Sequence, residues 1–215
     1  MTYSRKNQAG FTIIELMIAT MVFSVVLLLC AAGLIAIGRM YQKGNNNRAV
    51  QEVSRSILDT IKNDFELSGG NYKALTTASG GNSYAFCIGS TLYMYTVNVP
   101  VAADGSQPGL IRNDQGWANF ICTFADSSTP LPSTVTTSEA LAQGGKELLG
   151  ANMRLVQPPI VLAYPSSTNP VSLKIRANVI YGADDLISGD RCRGGAGQEY
   201  CASSILETFA TRRLQ

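Results

Sequence analysis

From Phe11 to Ile37 the chain is apolar almost without interruption. A run of about 27 residues is long enough to cross a ~30 Å hydrocarbon core as one helix. Beyond Gly38 the pattern changes but the helical period does not. Val50, Val53, Ile57, Ile61 and Phe65 recur at spacings of 3, 4, 4 and 4, with Leu58 widening the stripe. That period predicts an amphipathic helix. Arg48, Glu52, Arg55, Asp59 and Lys62 lie off the stripe, and Ser68-Gly69-Gly70 is a stop signal. An unbroken helix from Phe11 to Leu67 would be roughly 85 Å long. Its weak point is Gly44-Asn45-Asn46-Asn47, a run of poor helix formers where a kink or break is expected. Gly33 and Gly38 are further soft points, or places for close helix packing.

After Asn71 the period shortens to that of strands. Tyr84–Ile88 and Leu92–Val97 flank Gly89-Ser90, which reads as a hairpin. Trp117–Phe124, Pro158–Tyr164, Val171–Gly182 and the segment from Ser203 to Gln215 are further strand candidates. In the third of these Val171, Leu173, Ile175, Ala177, Val179 and Tyr181 alternate with mostly polar neighbours. Ser127–Thr137 reads as a Pro/Ser/Thr loop, and Ser138–Ala151 holds a short helix or none. One long helix followed by strands predicts an α+β fold, with an antiparallel sheet packed on the helix stripe. The expected organisation is a leader at 1–10, a transmembrane half-helix at 11–38, an amphipathic half at 39–68 and a β-rich head at 69–215.

Charge adds a direction. The net charge of +2 is too small to argue for nucleic-acid binding. Without Arg5 and Lys6 the remaining side chains balance, 15 basic (17 − 2) against 15 acidic. The bias therefore sits in the N-terminal flank. By the positive-inside rule it keeps the N-terminus cytoplasmic and puts everything after the helix outside. A secretory signal peptide is the plainer alternative, but its apolar core is only about 7–15 residues.

Glu15 is the one charge in the apolar run. A carboxylate in a membrane helix costs a few kcal/mol and normally has a partner. No Lys, Arg or His lies between Phe11 and Gly38, so the partner is expected from another chain or from a newly made N-terminal amine. The stretch Gly-Phe-Thr-Ile-Ile-Glu-Leu-Met from Gly10 resembles the prepilin leader of type IV pilins and type II secretion pseudopilins. The resemblance implies cleavage by a prepilin peptidase after Gly10, N-methylation of the new terminus Phe11, and an assembly role for Glu15, fifth in the mature chain. Glu15 of one subunit would neutralise the Phe11 amine of its neighbour, removing two costly charges together. Family members at the extreme tip of a filament often lack this Glu, so its presence implies a subunit packed beneath others. A carboxylate snorkelling near the interface is the plainer reading, but it leaves the Gly-Phe junction unexplained.

Cys30 lies in the apolar run and reads as a small packing residue. Cys87, Cys122, Cys192 and Cys201 allow three pairings, of which Cys87–Cys122 and Cys192–Cys201 are preferred. Many type IV pilins carry a C-terminal disulfide loop. Zinc and reduced buried thiols are the alternatives, but there is no C-x₂-C pair and no His. The absence of His also removes the usual general base and the commonest metal ligand. No phosphate-binding, dinucleotide-binding or nucleophile-elbow motif is present. The sequence thus predicts no enzyme and no cofactor. Asp184, Asp185 and Asp190 form the one carboxylate grouping with calcium chemistry, and some pseudopilins use calcium there. The plainer reading is a solvated acidic turn, and likewise Arg212 and Arg213 read as a solvated face rather than a DNA contact.

The function expected from the resemblance is a structural subunit of a type IV pilus. The size of the head favours a minor pilin in assembly or initiation. Its partners would be other pilin subunits, the prepilin peptidase, an ATPase-driven assembly platform and the membrane. It would lie in the inner membrane before assembly and in an extracellular pilus or periplasmic pseudopilus afterwards. The alternatives are a pseudopilin of type II secretion or of a competence (DNA-uptake) system, and a membrane-anchored adhesion module that never polymerises.

Overall fold

The structure, a computed structural model, describes residues 10–69, 71–75, 83–114, 122, 136–164 and 170–213. The leader ahead of Gly10, Gly70, the strand expected at Trp117–Phe124 apart from Cys122, and most of the loop expected at Ser127–Thr137 lie outside the described residues. The chain forms two compact units, Met1–Gln42 and Lys43–Gln215.

Helix α1 runs from Ile13 to Leu67. It starts two residues after Phe11, and it continues through Gly44–Asn47 without the expected break. Tertiary contact compensates for the poor propensity there: the Asn46 side-chain amide donates to the Glu199 carbonyl at 3.0 Å, and Asn47 is half-buried. The stop falls at the sequence signal. Ser68 N–H donates to the Asp64 carbonyl and Ser68 Oγ to that of Phe65, and Gly69 takes φ +70°, the left-handed residue that closes many helices.

In the second unit the helix presents Val50, Ser54, Ile57, Leu58, Ile61 and Phe65 to the core. Val53, expected on the stripe, is half-buried, and fully buried Ser54 lies beside it. Its hydroxyl has no partner among the described residues.

The strands are β1 (Tyr72–Leu75), β2 (Ser83–Ile88), β3 (Thr91–Thr96) and β4 (Leu110–Asn113). Helix α2 (Thr137–Ala142) follows, then β5 (Lys146–Glu147), β6 (Met153–Leu155), β7 (Ile160–Tyr164), β8 (Ser172–Tyr181), β9 (Ile187–Ser188), β10 (Arg191–Cys192) and β11 (Ala202–Thr211). One antiparallel sheet has the order β1-β2-β3-β4-β5; in the other, β8 pairs with β11 on one side and with β6 and β7 on the other. The chain after β3 joins them through a parallel bridge between Val97 and Leu155. The expected hairpin is present: Ile88 pairs with Thr91 across Gly89-Ser90. Gly89 has φ +56°, and a Cβ there would meet the Ser68 Cβ at 2.6 Å, so only glycine fits this turn against the end of α1.

Both sheets turn one face to α1. Phe86, Ile88, Tyr93 and Tyr95 come from the first, and Leu173, Ile175, Ala177 and Val179 from β8. Phe86 and Tyr93 stack with ring centroids 4.8 Å apart. Burial of these rows is the main stabilisation of the head, about 1.5–3 kcal/mol for each large apolar side chain. The opposite face of the first sheet carries Ala85, Cys87, Leu92, Met94 and Ile111 under Ala140 of α2 and Cys122. All six residues of β3 are therefore buried, because both its faces are covered. Helix α2 forms because Thr136 and Glu139 cap each other reciprocally at its start.

Disulfides join Cys87 to Cys122 and Cys192 to Cys201, each with Cα atoms 5.8 Å apart. The second closes a separation of 9 residues. Replacing Cys192 and Cys201 together by Ser is expected to cost about 2.5 kcal/mol by the chain-entropy relation. Urea unfolding of the oxidised protein and of the double variant measures the difference; equal midpoints would refute the estimate.

Candidate functional site

The N-terminal site is built around the start of α1. Gly10 and Phe11 precede the helix and are exposed, with Phe11 at 84%. A Cβ placed on Gly10 meets nothing within 4 Å. No contact inside the described chain therefore requires glycine at this junction, and the peptide bond that follows it is open to a partner.

Thr12 and Glu15 make a capping box. Glu15 N–H donates to Thr12 Oγ1 at 3.3 Å, and a Glu15 carboxylate oxygen accepts from Thr12 N–H at 3.1 Å and from Thr12 Oγ1–H at 2.9 Å. The box satisfies two helix N–H groups that have no intrahelical partner, and it holds a negative charge at the positive end of the helix. The sequence expectation for Glu15 concerned a charge partner, from another chain or from a newly made N-terminal amine; these hydrogen bonds add a local role. Its hydrogen bonds are met within the first turn. Its charge is not: among the described residues Glu15 forms no ion pair. Thr12 is the residue that the sequence reading overlooked. The signal was present, a Thr followed three residues later by Glu ahead of an apolar run.

The rest of the first unit presents an apolar surface. Ile14, Met17, Met21, Phe23, Leu28 and Leu34 are among its exposed side chains, and Cys30 is exposed with them. Among the described residues α1 is the helix long and apolar enough to cross a membrane. Its polar side chains bond to their own helix, Thr20 Oγ1 to the Met17 carbonyl and Ser24 Oγ to that of Thr20. Such internal satisfaction is what hydrocarbon requires. A Cβ on Gly33 or Gly38 would meet nothing within 4 Å.

In the head, Asp64 of α1 is held by two strands. Its carboxylate accepts from Arg112 Nε at 2.8 Å, from Arg112 Nη2 at 3.2 Å and from the Tyr93 hydroxyl at 2.6 Å. Arg112 also reaches Asp114 at 3.0 Å. Burial, then the bond to Asp64, pushes the Tyr93 hydroxyl well above the usual phenol range. The bonds to Asp64 raise the already high pKa of Arg112. This clasp was not legible in advance, since its three members are far apart in sequence.

The carboxylates of the calcium candidate do not converge. Asp184 pairs with Arg154, Asp190 lies 3.7 Å from Arg191, and Asp185 is exposed. Among the described residues no group of three or more His, Cys, Asp or Glu is placed to hold a metal ion. Arg213 lies 3.4 Å from Glu66 of α1.

Residues 5–31 match the protein-family model of the prokaryotic N-terminal methylation motif. No curated protein and no solved structure matches the chain. The matched motif, the apolar helix and the β-rich head with its C-terminal disulfide support a type IV pilin-like or pseudopilin-like subunit with a membrane anchor.

Proposed function

We propose that the chain is a structural, non-enzymatic subunit of a type IV pilus, most like a minor pilin in assembly or initiation. It is made as a prepilin with a leader at 1–10, cut after Gly10 by a prepilin peptidase and N-methylated at Phe11. Residues 11–38 anchor it in the inner membrane with the N-terminus cytoplasmic and later enter the filament core. Residues 39–68 carry the head, 69–215. An assembly platform then passes it into a polymer with other pilin subunits. The observation that carries this reading is the match of residues 5–31 to the methylation motif. The exposed Gly10–Phe11 junction, and a Glu15 charge that forms no ion pair among the described residues, support it.

Mass analysis of the chain from membranes and from sheared filaments tests it. The expected mature N-terminus is N-methylated Phe11, and Gly10→Leu should abolish cleavage and leave the leader attached. The same N-terminus in that variant would count against a prepilin peptidase. Presence of the chain in filaments separates a polymerising subunit from a monomeric anchor. Loss of surface pili, rather than of protein secretion, on deletion separates a pilin from a pseudopilin.

A further inference from the structure

Between the head-side half of α1 and the C-terminal disulfide loop lies a cleft of about 250 Å³. Lys43 of the helix and Arg193 of the loop both line it, with Asn47, Gln198 and Ser203. No carboxylate among the described residues lines it. Lys43 and Arg193 form no ion pair among the described residues, whereas nearby Arg191 lies 3.7 Å from Asp190. The loop that carries Arg193 is fixed in three ways: by Cys192–Cys201, by the Arg193 N–H bond to the Leu186 carbonyl at 2.7 Å, and by the Asn46 bond to the Glu199 carbonyl. Two uncompensated cations and neutral donors are thus brought to one cleft by a pinned scaffold. An arginine fork, an ammonium and neutral donors match the oxygens of a phosphate group.

The position of Lys43 indicates where that phosphate comes from. Lys43 follows Ile37, the last residue of the apolar run, by six positions, about 9 Å along a helix. The headgroup layer adds roughly 5–8 Å beyond each side of the hydrocarbon core. We infer that the cleft between Lys43 and Arg193 binds the phosphodiester headgroup of an anionic phospholipid, in the leaflet where α1 leaves the membrane. The inference rests on the membrane reading of the first half of α1, not on assembly into a filament. Its consequence is a head held to lipid in the unassembled subunit and released from it when the subunit leaves the bilayer.

The test uses the full chain in nanodiscs of phosphatidylcholine alone or with phosphatidylglycerol, read by hydrogen exchange over residues 191–203 and by native mass spectrometry of retained lipid. Phosphatidylglycerol should be retained preferentially and should slow exchange in the loop. Lys43→Gln and Arg193→Gln should each weaken the preference about fivefold. No preference, or one that survives the double variant, overturns the inference. Equal protection by inorganic phosphate or by a short oligonucleotide in phosphatidylcholine discs overturns the lipid assignment. Failure to enter discs of either composition would instead overturn the membrane reading beneath it.

Discussion

Glu15→Leu protein is expected to insert, to be cleaved and to fold its head, and to be missing from filaments. If Glu15 is the proposed counter-charge to the Phe11 amine of a neighbouring subunit, the variant leaves that amine unneutralised. An unneutralised charge in a helix interior within the membrane costs about 2.5–3.5 kcal/mol, and incorporation should fall roughly 100-fold. The capping box complicates the result, because Leu also removes the acceptor for Thr12 N–H. Two further variants separate the roles. Glu15→Gln keeps an acceptor at the third helical position, so the box survives while the charge is gone. Thr12→Val removes the hydroxyl that caps Glu15 N–H, at a cost of about 1 kcal/mol, and keeps the charge. If charge drives assembly, Gln behaves as Leu and Val behaves as wild type. The reverse order, with Gln competent and Val excluded, would make Glu15 a helix cap and nothing more. Mass analysis of sheared filaments against the membrane pool reads both outcomes.

The elements most legible in the sequence were those whose environment is one-sided. The stripe Val50, Ile57, Ile61, Phe65 packs on a sheet on one side only, so the helical period survives in the residues. Strand β8 alternates from Leu173 through Ile175 to Ala177 for the same reason, whereas farther along Asn178 and Ile180 on its other face are buried as well. Where surroundings are two-sided the pattern fails. Strand β3 is buried on both faces, and its hairpin turn and aromatic content mark it in the sequence where alternation does not. Strands β1, β4, β5 and β6 have two to four residues each, too few for any period to show, and they exist through pairing with longer neighbours.

The continuity of α1 through Gly44–Asn47 was illegible for a different reason. Local propensity argues for a break, while the Asn46 contact lies 153 residues away in sequence. The methylation motif at residues 5–31 was legible because it is one contiguous stretch of sequence. Thr12 is marked in the sequence only by its spacing of three from Glu15, a capping pattern ahead of an apolar run.

The Asp64 clasp gives the second large effect. Asp64 sits one turn from the end of α1, and its carboxylate ties the helix to β3 through Tyr93 and to β4 through Arg112. The pair is mostly buried, with side-chain exposures of 24% for Arg112 and 14% for Asp64. Asp64→Ala would leave the Tyr93 hydroxyl without its acceptor and the Arg112 guanidinium with only the exposed Asp114. Breaking a buried pair from one side costs about 3–5 kcal/mol, and partial exposure puts this one near the lower end. A loss of about 3 kcal/mol in a head of this size lowers Tm by roughly 6–12 °C. Tyr93→Phe removes one bond and should cost only about 1 kcal/mol. Asp64→Leu with Arg112→Met replaces both charges by apolar groups and should recover most of the loss, because no buried charge is left unpaired and Asp114, which loses its contact with Arg112, is solvent-exposed. Thermal unfolding of the full chain in detergent, followed by near-ultraviolet circular dichroism of the head, ranks the three. An unchanged Tm in Asp64→Ala would show that apolar burial along Ile57, Ile61 and Phe65 holds the end of α1 without the clasp. A double variant as unstable as the single would show that the geometry of the ion pair, not the avoidance of a stranded charge, fixes the helix on the sheet.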